Sequence, residues 1–347
     1  MPGATSTELQ PPLARRPAVP GRISRPAAGA GPWQLAFRRL RRDHTALAFG
    51  AVFLVIAAMC LAAPLYSKYV AHTGPADNHV TDTVTFGGQT HDVVSPSGIP
   101  IGPTWHGRFF LGADQNGRDI AVRLLYGGRN SLEIAAIATA ITVVLATISG
   151  ALAGYFGGGL DSVVSRTLDL IWAFPVVLLG IALGTSLALG GLNLGLITLS
   201  GNSLFVPAII IGFVYIPYVA KPVRGQVLSL REREFVDAAR VQGLGSIRIL
   251  WSEILPNITS TLIVFIPLTI ANAILLEAGL SYLGAGVQPP NPSWGTMISD
   301  GIQLLPSAIH LTLVPGLMLV LAVLGINVFG DGVRDALDPH SPIRLGH

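Results

Sequence analysis

The chain has 347 residues, 50% of them hydrophobic and only 12% charged, with a formal net charge of +3. A soluble domain carries roughly a quarter charged residues, so the deficit and the long apolar runs exclude an ordinary soluble domain and indicate an integral membrane protein. The basic residues are arginines apart from Lys68 and Lys221, and they sit beside apolar runs, which argues against nucleic-acid binding. The single cysteine, Cys60, can form no internal disulfide and reads as an inert packing residue. A His-Glu-x-x-His zinc helix, a Gly-x-Ser-x-Gly elbow and a Walker nucleotide loop are all missing from the sequence. No catalytic residue, metal ligand or cofactor is therefore assigned to this chain, and any ATP-driven step requires a partner.

Residues 1–32 are rich in Pro, Ala, Gly and Arg without an apolar period, and read as a disordered tail. They are not a secretory signal, because the first apolar run starts only after residue 44. About 20 apolar residues cross the ~30 Å hydrocarbon layer. Six segments meet that length: 45–66, 131–156, 164–190, 204–222, 258–280 and 309–330. Pro175, Pro217, Pro267 and Pro315 lie within them, and neighbouring helices can satisfy the carbonyls such kinks free. Gly150/Gly154 and Gly180/Gly184 form small-xxx-small pairs that permit close helix approach.

Arginines 15, 16, 22, 25, 38, 39, 41 and 42 precede the first span and put the N-terminus in the cytoplasm. With six spans, a polar island at 231–256 and the tail 336–347 are then cytoplasmic, and the loop 67–130 is external. Residues 67–107 suggest a small excursion with strand or irregular structure, including Thr83–Phe86. Residues 117–126 suggest a short interfacial helix, with Gly117, Ile120, Ala121, Leu124 and Leu125 on one face. Gly127-Gly128 would end it, and Asn130 or Ser131 would cap the next span.

The island between the fourth and fifth spans carries the main functional signal. Residues 232–242 can form a three-turn helix with Phe235, Ala238, Ala239 and Gln242 along one side, and Glu232, Arg233, Asp237 and Arg240 around it. Paired alanines permit close approach in a partner's groove, with Phe235 as an anchor. Gly243 suits a helix stop, and Ser246 can start a second helix running to Pro256. The plainer alternative is a solvated linker helix.

Asp237-Ala238-Ala239-x-x-x-Gly243, followed by Leu255-Pro256, resembles the EAA loop of permease subunits in ABC importers. Asp replaces the usual Glu, and Glu253 stands where an apolar residue is usual. Three further segments are similar to the dipeptide/oligopeptide permeases, specifically the "C" partner of the pair. They are 111–119 leading to Arg129, 277–284 with 287–295, and 329–339. This resemblance runs from about residue 38 to 340. It implies an all-α integral membrane protein with six transmembrane helices in a type I importer bundle. Its parts would be a first span with basic flank at 33–66, the loop at 67–130 and a permease core at 131–335.

The resemblance further implies half of a pore completed by a second, homologous permease in the bacterial inner membrane. Cytoplasmic ATPase subunits holding ATP and magnesium, and an extracytoplasmic substrate-binding protein, would be the other partners. Glu234, Phe235, Asp237, Ala238, Ala239, Gly243, Leu255 and Pro256 would carry ATPase coupling. Peptides are the implied cargo, with nickel, glutathione or another small solute as alternatives within the family. A secondary transporter is a more distant alternative, because no midplane ion ligands or internal repeat are evident.

Glu277 is the sharpest ionisable residue within a span; holding the 281–295 loop outweighs direct substrate contact for it. Trp294 in that loop reads as an interfacial anchor or an external gate. Arg166 and Asp169 have the spacing to pair with each other on one helix.

Overall fold

The computed structural model describes residues 31–338 apart from 191 and 194–197. The expected tail at 1–32 lies outside the described residues up to residue 30, and the C-terminal tail does so from residue 339. Helix α1 (Pro32–Leu40) presents three faces. Ala36 is turned inward, Trp33 and Phe37 are exposed one turn apart, and Arg38 and Arg41 occupy a further exposed strip. Asp43 then accepts the Ala46 N–H at 2.9 Å and starts α2 (His44–Leu61), the first span.

The chain leaves the bundle through α3 (Ala63–Tyr66) and a π turn at Ser67–Ala71. The excursion contains an antiparallel hairpin of β1 (Thr83–Phe86) and β2 (Gln89–Asp92), with Thr83 opposite Asp92. Its own small core is Val93, Phe109 and Ala113. Asp119 closes the excursion: its carboxylate accepts the N–H groups of Phe109 at 2.6 Å and Val122 at 3.1 Å. Burial raises the Asp119 carboxyl above its ordinary value, against the pull of those backbone N–H groups.

The next helix departs from the sequence expectation. Instead of a short helix ended by Gly127-Gly128, a single α4 runs Ile120–Phe156, with Asp119 as its cap. The two glycines serve close packing within the helix. A Cβ on Gly128 would strike Cys60 Sγ and the Trp294 ring, and one on Gly127 would press on the Ser293 backbone. Asn130 and Ser131 do not cap a helix either. The Asn130 amide donates to Pro292 O at 2.7 Å, and the Ser131 hydroxyl accepts the Trp294 N–H at 3.4 Å.

The expected span 164–190 is two helices, α5 (Gly158–Ala173) and α6 (Val176–Gly190), bent by 88° where Pro175 interrupts the ladder. The expected 204–222 span is likewise α7 (Phe205–Val214) and α8 (Ile216–Leu230), bent by 40° ahead of Pro217. Among the described residues, four helices are long and apolar enough to cross a membrane, and counting each bent pair as one span gives six. The four are α2, α4, a continuous run Ser246–Tyr282, and α13 (His310–Leu337). The fifth span thus starts well before residue 258. It comprises α10 (Ser246–Ile249), a π turn at Leu250–Ile254 and α11 (Leu255–Tyr282).

Both predicted glycine pairs lie at helix contacts within the chain. Gly150 and Gly154 of α4 face Ala220, Val223 and Val227 of α8, and Gly180 and Gly184 of α6 face Leu280 and Ala285. Two buried clusters result. One, around Cys60, Ile134, Ile274, Leu280 and Trp294, lies towards the excursion. The other, around Val223, Val227, Val236, Ile254 and Ile258, lies at the opposite end, under the 231–256 loop. The Arg39 guanidinium donates to Asp338 O at 2.6 Å and ties α1 to the end of α13.

Candidate functional site

The loop that leaves α8 forms α9 (Glu234–Val241). Arg231 anchors its start by donating to Gly154 O at 3.2 Å, at the end of α4. Glu234 and Asp237 occupy the first turn and Arg240 the last, so all three charges suit the helix dipole. Arg240 also donates to Asp237 Oδ1 at 2.9 Å. Gly243 stops the helix at φ +81°, with its N–H on Arg240 O and the Leu244 N–H on Ala239 O. Only an achiral residue adopts that left-handed step without strain.

Which face α9 buries differs from the expectation. Val236 and Ala239, three residues apart, enter the buried cluster beneath, whereas Phe235, Ala238 and Gln242 stay at the surface. Ala239 thus seats the helix on its own chain and is withdrawn from any partner's groove. The adjacent Ala238 points some 100° away and, with Glu234, Phe235 and Asp237, forms the open side. Leu255 packs half-buried against the same cluster, and Pro256 stands exposed in the first turn of α11.

Three exposed apolar side chains in this loop were missed by the sequence reading: Val241, Ile247 and Trp251, each at least two-thirds exposed. Their signal was present. All three fall outside the buried face set by Val236, Ala239, Ile249 and Ile254. Exposed apolar groups gathered on one short loop mark a contact surface.

The second predicted group lies at the opposite end. Glu277 is completely buried in α11. Ser281 donates to its Oε1 at 2.6 Å and accepts the Val287 N–H at 2.9 Å, which fixes the chain beyond α11. Glu277 Oε2 accepts no hydrogen bond of good geometry, although the Ser131 and Ser293 hydroxyls stand near it. Trp294, the first residue of α12 (Trp294–Ile302), is also fully buried, and its indole N–H donates to Leu124 O at 3.2 Å. An interfacial anchor would expose the ring to lipid, so that reading is corrected: Trp294, at the start of α12, packs its ring against Gly128 of α4.

Beside it the sequence reading missed a charge lattice. Arg118 holds Asp114 at 2.6 Å and Asp300 at 3.3 Å, and Arg123 holds the same two carboxylates at 3.4 and 3.3 Å. Burial raises the Asp300 carboxyl, opposed by Arg123 and Arg118. This lattice clamps α12 to the start of α4. The expected Arg166–Asp169 pair does not form; Asp169 instead meets Lys221 of α8 at 2.7 Å. No group of three potential metal ligands occurs among the described residues.

Comparison with known proteins places the chain in a family. Residues 143–341 match the family described as "Binding-protein-dependent transport system inner membrane component", and residues 31–80 match the "N-terminal TM domain of oligopeptide transport permease C". The chain is 35% identical to the dipeptide transport system permease protein DppC of Alkalihalophilus pseudofirmus, covering 89% of this chain and 90% of that one. It is 33% identical to the oligopeptide transport system permease protein OppC of Haemophilus influenzae, covering 90% and 89%. The identity is also 33% to the glutathione transport system permease protein GsiD of Pectobacterium atrosepticum, covering 89% and 91%. Among solved structures, an inward-facing form of the MetNI methionine ABC transporter shares the fold. Its TM-score is 0.50 at 18% identity, covering 62% of this chain and 96% of that one.

Proposed function

The chain belongs to the family of binding-protein-dependent transport system inner membrane components, and on that footing we propose that it is the permease subunit of an ATP-driven importer of di- or oligopeptides. The observation that carries the reading is α9: a short helix between the fourth and fifth spans, seated on the bundle by Val236 and Ala239, with Phe235, Ala238 and Val241 left open on it and Ile247 and Trp251 open at the start of the helical run that follows. A cytoplasmic ATPase subunit, holding ATP and magnesium, takes that surface into its groove. Closure of the ATPase pair on ATP moves α9 with the helices beneath it and switches the pore between two states. The N-terminus, α9 and the C-terminus face the cytoplasm, and the 67–119 excursion faces outward towards a substrate-binding protein. A second, homologous permease completes the pore.

The names of the dipeptide and oligopeptide relatives support a peptide cargo. Glutathione, named for a third relative, is itself a modified tripeptide and falls in the same chemical class. Purification of the tagged chain in mild detergent from its native host tests the reading. Recovery of a second permease and ATPase subunits, with ATP turnover raised by a binding protein plus peptide, is expected. Recovery of the chain alone, without an ATPase, would overturn it.

A further inference from the structure

Asp169 of α5 and Lys221 of α8 meet at 2.7 Å, yet their side chains remain 61% and 43% exposed. Lys221 also lies 5.1 Å over the Trp172 ring. Trp172 stacks on Tyr218 at 6.3 Å, and Tyr218 stands edge-on to Phe265 of α11 at 5.8 Å. Arg166, one turn before Asp169, is exposed and makes no ion pair among the described residues. Three helices therefore contribute to one open patch that combines charges with an aromatic wall.

Two features separate this patch from ordinary packing. The first is redundancy. Arg224 of α8 already grips Asp161 of α5 with two hydrogen bonds, Nη2 to Oδ2 at 2.6 Å, so α5 is fixed to α8 without the second pair. The second is place. Each helix belongs to a bent pair that is apolar enough, counted as one, to cross a membrane, and Lys221 lies ten residues, roughly 15 Å, ahead of Arg231 at the end of α8. Lysine, aspartate and an unpaired arginine on open faces of such helices do not face hydrocarbon; they face a water-filled cavity or a charged ligand.

Arg166 and Lys221 against Asp169 leave one surplus positive charge, beside an aromatic surface. That combination fits a carboxylate attached to an amide backbone with an apolar side chain. We propose that Arg166, Lys221, Trp172 and Tyr218 form a station on the translocation pathway that receives the α-carboxylate end of a peptide. This rests on the peptide-importer reading. The carboxylate takes the place of Asp169 on Lys221, while Arg166 supplies the second cation. Asp169 holds Lys221 in position when the station is empty and competes for it when the peptide leaves, so the contact is an exchange of partners and passage stays easy.

The test uses the assembled transporter, with Cys60→Ala and Ala173→Cys making residue 173 the sole cysteine of this chain. Ala173 is exposed and one turn beyond Asp169. The rate of labelling by an anionic and a cationic hydrophilic thiol reagent is read with and without binding protein, ATP and a dipeptide. Faster labelling by the anionic reagent is expected, together with about tenfold protection by a dipeptide with a free C-terminus. Its C-terminal amide is expected to give little. In transport, Lys221→Gln and Arg166→Gln are expected to raise KM for the free dipeptide about tenfold, with Lys221→Arg restoring it. Labelling only by an apolar, membrane-permeant reagent, or no labelling, would mean lipid or a subunit covers the face and would overturn the station. So would labelling indifferent to peptide, or loss of the partner subunits in the Lys221→Gln complex. Failure of the importer reading itself shows separately, as absence of ATP-driven peptide uptake by the unaltered complex, while the reagent preference at residue 173 is still read.

Discussion

Two adjacent alanines, changed one at a time to aspartate, separate seating of α9 from docking on it. Ala239 is 5% exposed and packs into a cluster made of Val236, Ile249, Leu250, Ile254 and Ile258. The nearest cation on the helix, Arg240, is turned outward onto Asp237. An aspartate at 239 therefore has no partner. Keeping it neutral at pH 7 costs about 4 kcal/mol, from an ordinary pKa of about 3.9 at about 1.36 kcal/mol per unit, and keeping it charged costs at least as much. That is a large part of the roughly 5–15 kcal/mol holding a domain folded. Ala238→Asp, at the surface, should change stability by no more than about 1 kcal/mol. It should weaken ATPase association by about 2 kcal/mol, roughly 30-fold, by pressing an unpaired charge into the contact. The assay pairs thermal unfolding of the permease in detergent with retention of the ATPase on affinity resin. Ala239→Asp is expected to lower the melting temperature sharply, and Ala238→Asp to spare it and lose the ATPase. A stable Ala239→Asp protein, or an Ala238→Asp protein that holds its ATPase, would refute the division of the helix into two faces.

Trp251→Ala should leave the melting temperature nearly unchanged and weaken ATPase retention by about 2 kcal/mol, as expected of an exposed aromatic anchor; retention equal to wild type would remove Trp251 from the surface. Gly128→Val forces a branched side chain into Cys60 and Trp294, and should destabilise by about 3 kcal/mol in thermal unfolding; a neutral result would mean that α2, α4 and α12 do not close as described. Ser281→Ala leaves the Val287 N–H and Glu277 Oε1 without their partner and should cost about 2 kcal/mol, read the same way. The raised Asp119 carboxyl binds its proton more tightly folded than unfolded. Its contribution is thus full below the ordinary pKa of about 3.9 and declines as pH rises through the raised value. The stability gap between wild type and Asp119→Asn should therefore narrow as pH is raised from about 4; a gap independent of pH would contradict the assignment.

What the sequence made legible is what depends on local pattern. Six apolar runs of spanning length, the stop at Gly243 and the outlying polar island each announce themselves within about 25 residues. What stayed hidden depends on distant partners. Gly127-Gly128 looks like a helix terminator until Cys60, some 70 positions earlier, and Trp294, far later, are seen to occupy the space a side chain would fill. Asp169 has a cation at helical spacing in Arg166, and nothing local announces that Lys221 on another helix lies nearer. Ala238 and Ala239 are chemically identical, and only the direction in which α9 lies on its neighbours gives them opposite tasks. The 88° break between α5 and α6 shows the same limit. Pro175 marks where a break occurs, but the packing of Gly180 and Gly184 against Leu280 and Ala285 directs the segment beyond it.

The proposed coupling also has a physical route through the chain. Val236 and Ala239 share one buried cluster with Val223 and Val227 of α8 and with Ile254 and Ile258 of the fifth span. A close-packed cluster of that kind transmits displacement because it has no voids to absorb it. From Ser246 the helical run continues to Tyr282, roughly 55 Å at about 1.5 Å per residue. At its far end Glu277 and Ser281 hold Val287, and Trp294 and the Asp114–Arg118–Arg123–Asp300 lattice lock α12 onto α4. Movement of α9 therefore reaches the opposite end of the bundle along one continuous helix, where it works against a lattice of partly buried ion pairs. Such pairs resist small distortions yet exchange partners when geometry changes. The Lys221–Asp169 patch lies beside that route through Tyr218 and Phe265, so the helices that carry the movement also carry the wall the cargo would touch.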